Sequence, residues 1–159
     1  MSEGINLRDL LLAPEFEEAS FSSRRYVEAG ETIIKKGDKS CDVYLILSGQ
    51  VSVLGEVDLD QQRHIKPGVS ELSKGDVFGE LSMFDHKPRS ATVIAAADTL
   101  LAVIDGQGLM AYFDQHPDVG YPALKSLLLM MAGRLRSADK RMLFLFSWGL
   151  KAHGINGDL

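Results

Sequence analysis

The stretch KGDVFGELSMFDHKPRSATVIA, Lys74–Ala95, decides how this chain is read. It holds a glycine, the brief segment ELSMF, the polar DHKPR and the β-rich run ATVIA. Gly79 lets the backbone pass close to a ligand, because no Cβ stands in the way. The ELSMF that follows is long enough for one helical turn, whose first N–H groups have no partner inside the helix and suit an anion. Arg89 would neutralise one phosphate charge through a planar fork of two parallel N–H donors, which lysine cannot reproduce. Ser90 and the next amides add donors. Glu80 is anionic and cannot help to bind phosphate, but it can accept a hydrogen bond from a sugar hydroxyl. These residues together describe a cradle for phosphate and ribose.

Other readings of the same residues stay open. Glu80, Asp85, His86 and Arg89 have the chemistry of a catalytic cluster, yet no nucleophile–base pair accompanies them. His64, His86, His116 and His153 are dispersed, with no HxH or HExxH, so no metal-ligand set is expected. The plain alternative for Arg89 and Glu80 is a surface ion pair across a turn, adding only about 0–1 kcal/mol. His86 reads as an exposed loop residue, and Cys41 as structural or inert.

Outward from this stretch, ETII, VYLILS, VSVLGEV, ATVIA and TLLAVI recur as short β-rich runs between GD, SG and PG turns. That rhythm predicts an all-β sandwich, barrel or jelly roll, and the glycines of this region sit mainly between its runs. On either side the pattern becomes helical. Leu7, Leu10 and Leu11 predict short helices before residue 23. GQGLMAYFDQHP predicts one near Pro117. A long helix is expected from about Pro122 to Phe146, with its approach at Asp118 and a stripe of Leu124, Leu127, Leu128, Met131 and Leu135. The expected division is 1–22 helical segment, 23–106 β-roll with its cassette at 78–92, 107–147 C-terminal helices and 148–159 tail.

The ordered blocks AGETI (Ala29–Ile33), KKGD (Lys35–Asp38), VYLILSG (Val43–Gly49), KGDVFGE (Lys74–Glu80) and RSATV (Arg89–Val93) resemble the cyclic nucleotide-binding domain family. The match extends over roughly residues 10–145 and is similar to the sensor domain of bacterial cAMP receptor regulators, without their DNA-binding domain. The resemblance implies an eight-stranded jelly roll, or double-stranded β-helix, flanked by helices. It implies a ligand, cAMP or cGMP, with no other cofactor and no catalytic or metal-binding residues. Glu80 would take the ribose 2′-hydroxyl. Arg89 would pair with the cyclic phosphate, assisted by the amides near Gly79, Glu80 and Leu81 and by Ser90 and Ala91. Phe78, Leu81 and Val93 would pack the cassette onto the roll. Ser90 does not settle the choice between the two nucleotides, and the resemblance leans to cAMP, or to either.

Composition bounds the partners. The 17 Lys+Arg against 22 Asp+Glu leave a net charge of -5, which argues against a surface that attracts nucleic acid throughout. One cysteine permits no internal disulfide. The apolar run Leu127–Ala132 is too short to span a bilayer, and the acidic first residues carry no secretory signal, so a cytoplasmic protein without membrane contact is expected. The resulting reading is a stand-alone regulatory domain that signals by movement of C-terminal helices to an unidentified effector, with a homodimer through the long helix as a further expectation. Its alternatives are a ligand-free interaction or dimerisation module and a small cupin-like jelly-roll enzyme. The dense apolar run MLFLFSW, Met142–Trp148, is expected to dock on the roll, on a second subunit or over the nucleotide base, where Trp148 would act as a lid.

Overall fold

A computed structural model describes residues 6–17, 19–55, 57–60, 63–65 and 69–154; Ile5, Glu18 and the end of the expected tail, 155–159, lie outside the described residues. Two short helices, α1 (Leu7–Leu11) and α2 (Pro14–Glu17), precede strands β1 (Ser22–Val27), β2 (Thr32–Ile34), β3 (Val43–Ser48), β4 (Gln50–Leu54), β5 (Val57–Asp60), β6 (Arg63–Ile65), β7 (Val69–Ser73) and β8 (Val77–Phe78). Helix α3 (Leu81–Asp85) interrupts the strands before β9 (Thr92–Ala95) and β10 (Thr99–Ile104), and α4 (Gly106–Gln115) and α5 (Pro117–Ala152) complete the chain. The strands form two four-stranded antiparallel sheets, ordered β1-β10-β3-β8 and β2-β9-β4-β7, while β5 and β6 pair separately as a hairpin. Of the sandwich, barrel and jelly roll that the spacing of the runs left open, this is the jelly roll that the family resemblance implied.

The continuous apolar run VYLIL has a direct physical cause. Successive strand side chains point to opposite faces, and the first sheet is covered on both. Tyr44 and Ile46 turn into the roll, where they join Val27, Val51, Phe78, Val93 and Leu101. Val43 and Leu45 turn outward and pack with Leu109, Phe113, Ala123 and Leu127 of the helices. Each fully buried Leu or Ile contributes about 1.5–3 kcal/mol from removal of apolar area from water. Leu7, Leu10 and Leu11 of α1 close over the same outer layer, and the Leu7 amide donates to Ser126 Oγ at 2.8 Å. The base of α5 is thus clasped between α1, α4 and the roll.

Two expectations are corrected here. Helix α5 is one element of 36 residues, opening at Pro117 and running through Trp148 and Gly149 to Ala152. Pro117 stands in the first turn, where its missing N–H costs nothing, and one interior glycine weakens a helix by only about 1 kcal/mol without ending it. The tail therefore starts later than residue 148. Along the expected stripe, Leu127 is buried whereas Leu128 and Leu135 are largely exposed. The run Met142–Trp148 does not dock on the roll: Met142, Leu143, Phe144, Leu145, Phe146 and Trp148 are all exposed by 60% or more. Trp148 is not among the residues bordering the cleft described below, so it forms no lid there.

Candidate nucleotide-binding site

Between β8 and β9 the chain leaves the sheets and folds over the mouth of the roll. Gly79, at φ +79°, makes the turn that ends β8, and a Cβ at this position would stand 3.0 Å from both Arg89 Nη1 and the Asp42 carbonyl oxygen. Helix α3 follows at once and closes at His86, whose φ of 53° turns the chain toward Arg89. His86 is exposed, as expected, and Cys41 lies half-buried with its Sγ 3.6 Å from His86 Nδ1.

Among the described residues, the buried polar side chains are Glu80, Ser82, Arg89 and Thr99. Thr99 is satisfied by backbone groups around Gln50 and Ala97, which leaves three in this one segment. The Arg89 guanidinium, only 5% exposed, donates from Nη1 to the Gly79 carbonyl and from Nη2 to the Asp42 carbonyl, each at 2.6 Å. A longer contact of 3.4 Å runs from Nη2 to Ser40 Oγ. Its carbon lies 6.0 Å from the centre of the Tyr44 ring, which itself stacks on Phe78 at 5.0 Å. Burial pushes the Tyr44 phenol above its ordinary range, the nearby Asp42 charge adds to this, and the Arg89 charge partly opposes it. Arg89 Nε is buried with no hydrogen-bond partner. A surface ion pair between Arg89 and Glu80 is therefore excluded; both are buried, and the partners of Arg89 are neutral.

Glu80 pairs instead with α5. Arg134 Nη1 lies 3.2 Å from Glu80 Oε1, and Arg134 Nη2 donates to the Val77 carbonyl. One helix face, Met130, Arg134, Ser137 and Arg141, overlooks the segment, and Arg141 Nη1 donates to Ser70 Oγ of β7 at 3.1 Å. A cleft of about 670 Å³ lies between this face and the roll. Gly79, Glu80, Leu81, Arg89, Ser90 and Ala91 all border it, together with Ile34, Val53 and Leu72. The structure thus brings the expected site residues into one concavity. Phe78 and Val93 are packing groups as expected, but Leu81 is 50% exposed. It opens α3, and the helical period turns Ser82 and Met83 inward in its place. Arg134, Ser137 and Arg141 were not singled out from the sequence, although their spacing of three and four marks one helix face.

Residues 24–116 match the sequence profile of the cyclic nucleotide-binding domain. The chain belongs to the cyclic nucleotide-binding domain family. A similar relative of the family is the cyclic AMP receptor protein of Thermus thermophilus, 32% identical over 130 residues, which are 80% of this chain and 56% of the relative. The cAMP-dependent protein kinase type II regulatory subunit of Drosophila melanogaster is 36% identical over 104 residues, 65% of this chain and 23% of that protein. This cyclic nucleotide-binding domain therefore spans about half of the first relative and a quarter of the second. Among solved structures, a cyclic nucleotide-binding domain from Methylobacillus flagellatus superposes with a TM-score of 0.69 at 27% identity, covering 78% of this chain and 67% of the other. The catabolite activator protein of Thermus thermophilus gives 0.65 at 30% identity, covering 88% and 63%. Among the described residues, no helix is long and apolar enough to cross a membrane.

Proposed function

We propose that this chain is a regulatory domain that senses cAMP or cGMP without breaking bonds, and that it signals by moving α5 against the roll toward an effector protein. The observation that carries this reading is Arg89. A cation held out of water with only neutral partners and an unpartnered Nε is costly unless an anion completes its shell. A cyclic phosphate supplies one negative charge and the missing acceptors. Gly79 leaves room for its approach, and Leu81 and Ser82 at the start of α3 border the same space. Glu80 then receives the ribose 2′-hydroxyl. The names of the receptor and kinase regulatory relatives, both of which refer to cAMP, support the ligand class.

The link to output runs through Arg134. A ribose at Glu80 shares or displaces the Arg134 guanidinium, and so changes what holds α5 in place. Ligand shifts the helix only by its difference in affinity for the two positions. Calorimetry with cAMP and cGMP tests the reading directly. Glu80→Ala is expected to weaken the preferred nucleotide about 10-fold to 100-fold, from loss of a charge-assisted hydrogen bond, and to remove its advantage over the 2′-deoxy analogue. Absence of binding heat at millimolar nucleotide would instead favour the ligand-free interaction module. Elemental analysis and substrate screening test the cupin-like enzyme.

A second copy of the chain fits α5. Tyr121, Leu128, Leu135 and Met142 recur every seven residues, and Ala138 and Leu145 follow the last two by three, in the heptad pattern of a coiled-coil seam; Leu124 and Met131 at the corresponding earlier positions pack against this chain's own core. Tyr121, Leu128, Leu135, Met142 and Leu145 are each at least 60% exposed on the single chain. Sedimentation is expected to give a dimer that Leu135→Glu converts to monomer; a wild-type monomer at all concentrations removes this part of the reading.

A further inference from the structure

We propose that the far end of α5 docks on an anionic lipid surface and lies in its headgroup layer without crossing the bilayer. The proposal is independent of the nucleotide reading of the cleft. It departs from the expectation of no membrane contact, which rested on the lack of a spanning segment. The apolar segment begins one residue after Arg141, whose guanidinium still reaches Ser70 of the roll. Met142, Leu143, Phe144, Leu145, Phe146 and Trp148 follow, and all six are exposed. A helix turns by about 100° per residue, so Met142 to Phe146 place apolar side chains on every side of the rod.

A single protein groove does not cover that circumference. A coiled-coil seam takes Met142 and Leu145 and leaves Leu143 and Phe144 on its outer side. A groove in another protein likewise covers one stripe of a helix. A helix that is apolar all round suits a surrounding apolar medium, either the interior of a large protein or lipid. Charge decides between the two. Arg136, Lys140 and Arg141 stand before the segment and Lys151 after it, while Asp139 is the one acidic residue between Arg134 and His153. In a chain whose net charge is -5, this end is basic. Inside a protein each of these cations would need a carboxylate partner. At an anionic membrane they reach the lipid phosphates while their stems stay in the apolar layer. Length sets the depth. Met142–Leu150 measures about 14 Å, half or less of a bilayer core, and basic groups at both ends keep both ends at the headgroups. Trp148 suits the same level, with an apolar ring and a polar N–H.

Trp148 is the single tryptophan of the chain, so its emission reports on this segment alone. Vesicles of phosphatidylcholine and phosphatidylglycerol in equal parts are expected to shift that emission to shorter wavelength and to carry the protein into the vesicle pellet. Vesicles of phosphatidylcholine alone should bind much more weakly. Lys140→Gln and Lys151→Gln should each weaken binding to the anionic vesicles about fivefold. Phe144→Ser combined with Phe146→Ser should weaken it about 100-fold, and the exposed position of both rings means that the melting temperature should not move. Unchanged emission and no protein in the pellet overturn the proposal and leave a protein partner as the occupant. A shift that grows with protein concentration and ignores vesicles also overturns it, and assigns the segment to a second copy of the chain. Equal binding to neutral and anionic vesicles overturns the role of the basic residues. None of these outcomes bears on nucleotide binding, which calorimetry reads separately.

Discussion

Arg89→Leu is expected to abolish nucleotide binding while leaving the unliganded fold close to its original stability. The binding loss follows from removal of two charge-assisted hydrogen bonds to phosphate, each about 1.5–3 kcal/mol, and so amounts to roughly a thousandfold. The stability argument runs in both directions. Leucine leaves the Gly79 and Asp42 carbonyls without their donor, at about 1–3 kcal/mol for each if water cannot reach them. It also removes a buried cation whose Nε is unpartnered, and replacement of a buried charge by an apolar group is often neutral or favourable. These effects oppose one another, so the melting temperature of the unliganded variant should change little. Nucleotide at 100 times its Kd should stabilise the wild type by about 2.7 kcal/mol and the variant not at all. Arg89→Lys keeps the charge but loses the fork, and should retain weak binding. A variant that still binds with wild-type affinity would remove Arg89 from the site.

The second large effect concerns the fold. Gly49 joins β3 to β4 and so carries the chain from one sheet to the other, at φ +94°. A Cβ there would overlap the Asp98 carbonyl and the Thr99 hydroxyl and stand 2.7 Å from Thr99 Cα. Thr99 cannot yield, because it is fully buried and its hydroxyl binds the Gln50 amide, the Gln50 carbonyl and the Ala97 carbonyl. Gly49→Ala therefore combines a disfavoured backbone conformation with overpacking against main chain, for about 3–5 kcal/mol of lost stability. Thermal unfolding should show a fall of about 10 °C or more. A shift of only a degree or two would mean that this corner relaxes and is not the rigid joint described.

Why some of this was legible in the sequence and some was not has a physical basis. VYLIL and TLLAVI stand out because both faces of their sheet are covered, and the cassette stands out because its glycine, glutamate and arginine lie close together in the chain. Strand β1, SSRRYV, shows no apolar alternation: it lies at a sheet edge with four of its six residues exposed, and its pairing with β10 decides its conformation. The Glu80–Arg134 pair joins positions 54 residues apart, a relation that no local pattern encodes. Leu81 was misplaced because its side chain direction depends on where the short helix begins. The end of α5 was misplaced because glycine weakens a helix without terminating it, and the exposed apolar run beyond Met142 extends past the roll rather than folding back over it.

The length of α5 has a mechanical consequence. Its last contact with the outer core is at Met131, and 21 residues follow to Ala152, about 32 Å at 1.5 Å per residue. Arg134 and Arg141 grip the roll within the first part of that span. A tilt of only about 10° at the pivot sweeps the far tip through about 5–6 Å, comparable to the rise of one helical turn. Under the proposed mechanism, a rearrangement of an ångström at Glu80 would reach the tip as a displacement large enough for another molecule to read. In that reading the helix would serve as a lever arm, with its fulcrum in the core and its short arm across the cleft.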